Sequence, residues 1–180
     1  MSTPAYDRTS ILLHWIVGLA ILGQFALGWW MVDIPREPAA ARAWWFELHQ
    51  STGVTLVAFV VVRLLWRIAH PAPELPGTLP RLQRTVAKAT HWALYGCMVV
   101  MPVSGYLGSS SAKEPVKYFG AALPHFEWDS PDLQDLMGSV HSITAWLLGA
   151  LVALHVGAAL FHLVRRDGIF TRMWTSVERG

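Results

Sequence analysis

Eight histidines are spread through the 180 residues, and six of them (His14, His49, His91, His141, His155 and His162) sit within or beside long uncharged stretches. Imidazole both ligates metals and carries protons near neutral pH. An ionisable group at membrane depth is expensive to keep and usually marks function, although a lone one also serves as a hydrogen-bonding bridge between helices. Spacing decides between these readings. His141 and His155 are 14 residues apart, which on an α-helix is a rise of about 21 Å and about 40° short of four full turns. Both therefore project from nearly one side, at two heights. His49 falls level with His141, while His14 and His91 fall level with His155. Two layers result, each with at least two imidazoles from different segments. Such layers suit two stacked haems, each iron held by a pair of histidines. Zinc fits less well, because it usually takes three or four close ligands and neither layer offers carboxylates or thiols. Cys97 is the single cysteine, which excludes an iron–sulfur cluster, an internal disulfide and covalent CxxCH attachment within the chain. Haem of b type is the economical cofactor.

The elements that must position these rings are apolar helices. The chain is 53% apolar and 14% charged, far below the charge of an ordinary soluble domain of this size. Residues 9–32, 89–112 and 136–164 hold 24, 24 and 29 positions without Asp, Glu, Lys or Arg, and 48–62 holds another 15 before VVRLLWRIAH continues it. Crossing about 30 Å of hydrocarbon takes roughly 20 helical residues. The spacing predicts four transmembrane helices near 9–31, 48–68, 86–107 and 137–164. The runs are continuously apolar rather than alternating, so helices are expected in place of barrel strands. The fold class is thus an all-α four-helix membrane bundle, a single domain spanning 1–180, with PAPELPGTLP (71–80) a stiff turn and 108–135 the longest loop. Disordered, basic nucleic-acid-binding and disulfide-stapled classes are excluded.

Ten of the fourteen Lys and Arg residues lie in the N-terminus, the 63–88 connection and the C-terminal tail. The positive-inside rule then makes both termini cytoplasmic. Trp29, Trp30, Trp44, Trp45 and Trp66 fall at span ends, as an interfacial belt does. A cleaved signal peptide is not expected, since cleavage near Ala39–Ala41 would discard His14. His14-Trp15 and His91-Trp92 each open an outward helix, while His49 and His141 each open a returning one, a thin echo of a duplicated hairpin. Gly18, Gly23, Gly28, Gly53, Gly149 and Gly157 either let a flat macrocycle approach the backbone or serve helix packing. Arg8, Arg63 and Arg67 either neutralise haem propionates or anchor helix ends. His70 and His125 lie in loops and are given no role.

The segments ILLHWIVG, ELHQSTGVTLVAFVVVRLLWRI, HWALYGCMVVMPVSGY and VHSITAWLLGALVALHVGAALFHLVRRDGIFTRMW together resemble the bacterial cytochrome b-561 family. The likeness covers all four predicted helices, and the outer loops are the main part without a match. It implies a dihaem, four-helix, quinone-linked cytochrome of the bacterial inner membrane. It also implies His49 with His141 as ligands of the outer haem and His14 with His155 as ligands of the inner one, His91 being the rival that depth alone does not separate from His14.

Two histidines on each iron leave no open position for oxygen activation, so electron transfer is expected. The outer haem would exchange electrons with a periplasmic donor or a small reductant, and the inner one with ubiquinone. His162, seven residues after His155, is a candidate to hydrogen-bond a quinone carbonyl, or else an interfacial side chain reaching water. Some members of the resembled family are similar to superoxide oxidases, which pass an electron from superoxide to ubiquinone. Lys113 and Lys117 are the candidate funnel for that anion. The outer segments nevertheless hold four basic against eight acidic residues, which argues against such steering. Three classes therefore stand at this point: an oxidoreductase between superoxide and ubiquinone, a cytochrome subunit relaying electrons between quinol and a protein partner, and a haem-free membrane protein whose histidines serve packing or protons.

Overall fold

The structure is a computed structural model, and it describes residues 5–77, 79–111, 115–124 and 129–174. Four long helices carry the chain: α1 (Arg8–Val32), α2 (Ala39–Ala69), α3 (Arg81–Ser110) and α4 (Pro131–Arg165). Each boundary has a local cause. Asp7 caps α1, accepting the Ser10 N–H at 2.9 Å and the Ser10 hydroxyl at 2.6 Å. α2 stops at His70 because Pro71 cannot follow a helical residue easily. Pro80 precedes α3, and Pro131 opens α4 behind the Ser130 cap, positions where a missing N–H removes nothing.

All four helices run beyond the spans expected from charge alone. α2 begins at residue 39 rather than 48, since AAARAWWFE is built of good helix formers even though it carries charge. The helix thus continues past the apolar stretch. α1, α2 and α4 are long and apolar enough to cross a membrane. α3 is as long but less apolar, because it places Thr90, His91, Tyr95, Gly96, Pro102, Ser104 and Gly105 among its Val and Met residues.

Little of this apolar surface is covered by the chain itself. Only 6–11% of the apolar windows of α1, α2 and α4 is buried, and Ile68, Leu19 and Val164 stand 76, 62 and 81% exposed. Patches of that extent are stable only against lipid or another protein. The closest backbone approaches are α1 on α2 and α3 on α4, with α2 and α3 touching less. The end where α1 begins and α4 finishes is tied by the tail. The Tyr6 N–H reaches the Arg172 carbonyl at 3.2 Å, the Trp15 indole N–H reaches the Met173 carbonyl at 2.9 Å, and buried Arg172 donates to the Pro73 and Glu74 carbonyls at 2.6 and 3.1 Å. The described ends of the chain therefore meet on one face.

One short element stands beside the four helices of this mostly helical chain. A two-stranded ribbon, β1 (Lys117–Tyr118) with β2 (Ala121–Ala122), forms an antiparallel pair. Its turn residues Phe119 and Gly120 have φ of +46° and +87°, as a two-residue hairpin turn demands. An aromatic residue is strained there. The Phe119 N–H donates to the Ser51 hydroxyl at 2.9 Å and the Gly120 N–H to Glu47 Oε1 at 2.7 Å, which holds the strained turn against α2.

Candidate haem centre

Two histidine clusters sit at opposite ends of the bundle. In one, expected on the outer side, His49 on α2 and His141 on α4 bring their ring centroids to 6.3 Å. In the other, expected on the inner side, His155 on α4 lies 6.0 Å from His14 on α1 and 5.5 Å from His91 on α3. All five rings thus gather as the spacing predicts.

α3 sets the outer pair. Pro102, inside this helix, has no N–H to give the Met98 carbonyl. One residue earlier, the Met101 carbonyl accepts the Nδ1–H of His141 at 2.9 Å, and the Ser104 hydroxyl stands 3.5 Å from the same nitrogen. A carbonyl on Nδ1 fixes the tautomer and leaves Nε2 free, the arrangement typical of metal-ligating histidines. Space around the two rings is kept by glycine. A Cβ on Gly28 would stand 3.1 Å from His49 Cε1, and one on Gly105 would stand 3.0 Å from His141 Cε1. Gln24 donates to the His49 carbonyl at 3.1 Å. The Nδ1 of His49 is buried without a hydrogen-bond partner among the described residues.

The inner cluster is dressed differently. Arg63 approaches His14 Nδ1 at 3.1 Å. A guanidinium only donates, so the nitrogen accepts and a neutral ring carries its proton on Nε2.

The residues fit a haem held by two imidazoles. An imidazole nitrogen binds a first-row metal at about 2.0 Å, and the ring centre lies about 1.1 Å beyond it, so two imidazoles holding one iron between them would have their centroids roughly 6 Å apart. The 6.3 and 6.0 Å pairs meet that figure, and the 5.5 Å His91–His155 pair falls short of it. Among the described residues no group of three or more His, Cys, Asp or Glu converges as a metal cage. A two-imidazole set suits a macrocycle that brings its own equatorial donors.

The family model described as "Prokaryotic cytochrome b561" matches residues 5–176. The chain belongs to the prokaryotic cytochrome b561 family. The chain is 34% identical over 175 residues to "Cytochrome b561 homolog 2" of Escherichia coli (strain K12), covering 93% of this chain and 90% of that protein. It is 25% identical over 170 residues to "Probable superoxide oxidase CybB" of Yersinia pestis, covering 93% and 94%. "Cytochrome b561 homolog 1" of Escherichia coli (strain K12) is 24% identical over 173 residues. Membership makes this a bacterial membrane electron-transfer protein with b-type haem.

The other expected residues divide. His162, in the last turn of α4, forms a 2.6 Å pair with Asp167 through Nδ1. Lys117 stands exposed on the hairpin, whereas Lys113 and His125 lie outside the described residues. His70 caps α2 and stacks on Trp66 at 3.9 Å. Of the glycines, Gly28 faces a histidine, Gly53 packs on Gln24 and Gly149 on Phe25, and a Cβ on Gly18, Gly23 or Gly157 would meet nothing within 4 Å. Sequence reasoning missed Met101, Ser104 and Gly105. The signal was present in Pro102 followed by small residues, which mark a helix turn opened toward a neighbour.

Proposed function

We propose that the chain is a single membrane-embedded domain of four crossings, with both termini cytoplasmic, that carries electrons through two b haems between the periplasmic side of the inner membrane and the ubiquinone pool. The observation that carries this reading is the two facing imidazole pairs at opposite ends of α4. His49 and His141 would hold the outer haem, and His14 and His155 the inner one. The separation of the rings supports His14 over His91.

When bound, each haem would supply a one-electron iron couple, and a pair of histidines holding it would favour electron transfer over oxygen chemistry. The chain's own residues prepare for this. The Met101 carbonyl orients His141, and Gly28 and Gly105 keep clearance beside the outer rings. Arg63 brings positive charge to the inner pair. A neutral ring ligating through Nε2 would carry its proton on Nδ1, so His14 would hold the inner haem with Arg63 turned away from that nitrogen. His162 lies seven residues beyond His155 on nearly the same side of α4, where it can hydrogen-bond a quinone oxygen.

The outer reductant is a small one on this reading, and superoxide is the candidate raised by the name of the Yersinia pestis relative. Support comes from Lys117, a cation standing exposed on the hairpin that Ser51 and Glu47 hold against α2. Lys117 would contribute to an anion funnel, with Lys113 as its expected companion. A second reading, a cytochrome subunit relaying electrons between quinol and a protein partner, is favoured by the acidic balance of the outer loops, eight carboxylates against four bases. Stopped-flow reduction of the purified cytochrome by superoxide separates the two. Fast reduction that slows with ionic strength supports the oxidoreductase; slow reduction indifferent to salt supports the relay.

A further inference from the structure

α4 does not end by fraying. Arg166 and Gly168 take positive φ of +54° and +82°, and the chain swings Asp167 back over the helix's last turn. There its Oδ2 meets His162 Nδ1 at 2.6 Å and its Oδ1 accepts the Ile169 N–H at 3.2 Å. Partial burial raises the Asp167 carboxyl, but the hydrogen bonds from His162 and Ile169, with the nearby charges of His162 and Arg165, leave it below its ordinary value. It is a carboxylate at neutral pH, so the proton between the two side chains belongs to His162 Nδ1. Nε2 is then the nitrogen left to exchange protons, in a ring whose tautomer and direction are fixed by the carboxylate, as in other His–Asp pairs.

On its other side Asp167 lines a cavity of about 250 Å³, walled by Pro76, Leu79 and Pro80 of the connection, Gln83 of α3, and Arg165 and Ile169. Gln83 buries its Oε1 without a partner among the described residues. A polar space of that size holds several waters at about 30 Å³ each, and Gln83, Arg165 and Asp167 give them partners.

Resting on the quinone reading above, we infer that Asp167, its carboxylate open to water from the adjoining cavity, is a positioning residue that holds His162 as proton donor to the quinone. Reduction of the quinone takes two electrons, each leaving an inner-haem iron ferric, and two protons. As the imidazolium paired with Asp167, His162 would give one proton from Nε2 per electron and be left neutral with its proton on Nδ1. A hydronium ion from solvent would return the missing proton to Nε2 before the second transfer. Arg165, from the same helix, is the charged neighbour of the pair.

The test uses the haem-loaded protein in detergent, reduced and mixed by stopped flow with a short-chain ubiquinone in H2O and in D2O. Asp167→Asn is expected to slow haem reoxidation at saturating quinone by about 10–100-fold, the usual effect of losing the group that orients a functional histidine. The half-saturating quinone concentration and the haem spectrum stay unchanged, the solvent isotope effect rises, and Asp167→Glu recovers most of the rate. If Asp167→Asn fails to load haem, Asp167→Ser supplies the same comparison. An Asp167→Asn protein with wild-type saturating rate and isotope effect overturns the proposal. Wild-type protein that ubiquinone fails to reoxidise overturns the quinone reading itself, a distinct outcome.

Discussion

Replacing Gly105 with alanine tests whether the outer histidines are shaped for a metal. The added Cβ would stand 3.0 Å from His141 Cε1 and 3.1 Å from its Nδ1, where carbon contacts prefer about 3.5 Å or more. The ring must therefore retreat by about 0.5 Å. It is anchored by the 2.9 Å bond to the Met101 carbonyl and by its 6.3 Å station opposite His49, so retreat strains both. Metal–ligand distances tolerate only about 0.2 Å. A disturbed ligand orientation typically lowers affinity 10–100-fold, equivalent to about 1.4–2.7 kcal/mol. Gly96→Ala is the control: it lies nine residues earlier, on the opposite side of α3, and its Cβ meets nothing within 4 Å. The assay is haem content and low-temperature spectra of detergent-purified protein during challenge with a haem scavenger. Gly105→Ala should shed the outer haem first while Gly96→Ala behaves as wild type. Equal retention of both haems in Gly105→Ala would refute the argument that this glycine clears space for a ligand.

Other consequences are open to direct measurement. His155→Ala should lose the inner haem and keep the outer one, halving the haemochrome yield per chain; retention of both haems excludes His155 as a ligand. Ser51→Ala leaves the Phe119 N–H without its acceptor at a fully buried hydroxyl site, which costs about 1–3 kcal/mol; the hairpin should become protease-sensitive with haem content unchanged, and unaltered cleavage would show that the clamp is dispensable. The Asp7 carboxyl is raised by partial burial but held below its ordinary value near 3.8 by hydrogen bonds from Ser10 and Trp66. A lowered folded value contributes stability above the unfolded pKa and loses it as pH falls through the folded one. The melting temperature in detergent should therefore be flat above pH 4 with respect to this group and fall below it, and Asp7→Asn should make the acid limb shallower.

How much could be read from the residues varies along the chain. Helix existence was legible for α1, α3 and α4 because uncharged runs of 24 or more residues admit little else, and for α2 because its 15-residue run continues apolar past Arg63. Helix ends were not: charge marks where the apolar stretch stops, whereas α2 continues outward through Ala39–Glu47 on propensity alone. α3 was read as a span from its missing charges, yet its hydropathy is lowered by the residues that serve the site, among them His91, Ser104 and Gly105. The two histidine heights followed from 14-residue spacing on one helix, a covalent regularity. What His141 bonds to did not, because the Met101 carbonyl is reached across helices and no pattern in α4 encodes it. The ribbon was hidden for a related reason: KYFGAA is held by Ser51 and Glu47, some 70 residues away in sequence. The Asp167 partner of His162 depends on the left-handed Arg166, a conformation an arginine does not advertise.

The central claim is that each end of the bundle clasps an iron porphyrin between two imidazoles. Haem-to-protein stoichiometry by pyridine haemochrome, taken with a reduced-minus-oxidised spectrum of the purified chain, tests it most directly. Two b haems per polypeptide, with spectra of six-coordinate low-spin iron, are expected. A folded but colourless preparation, or one haem per chain, would contradict it.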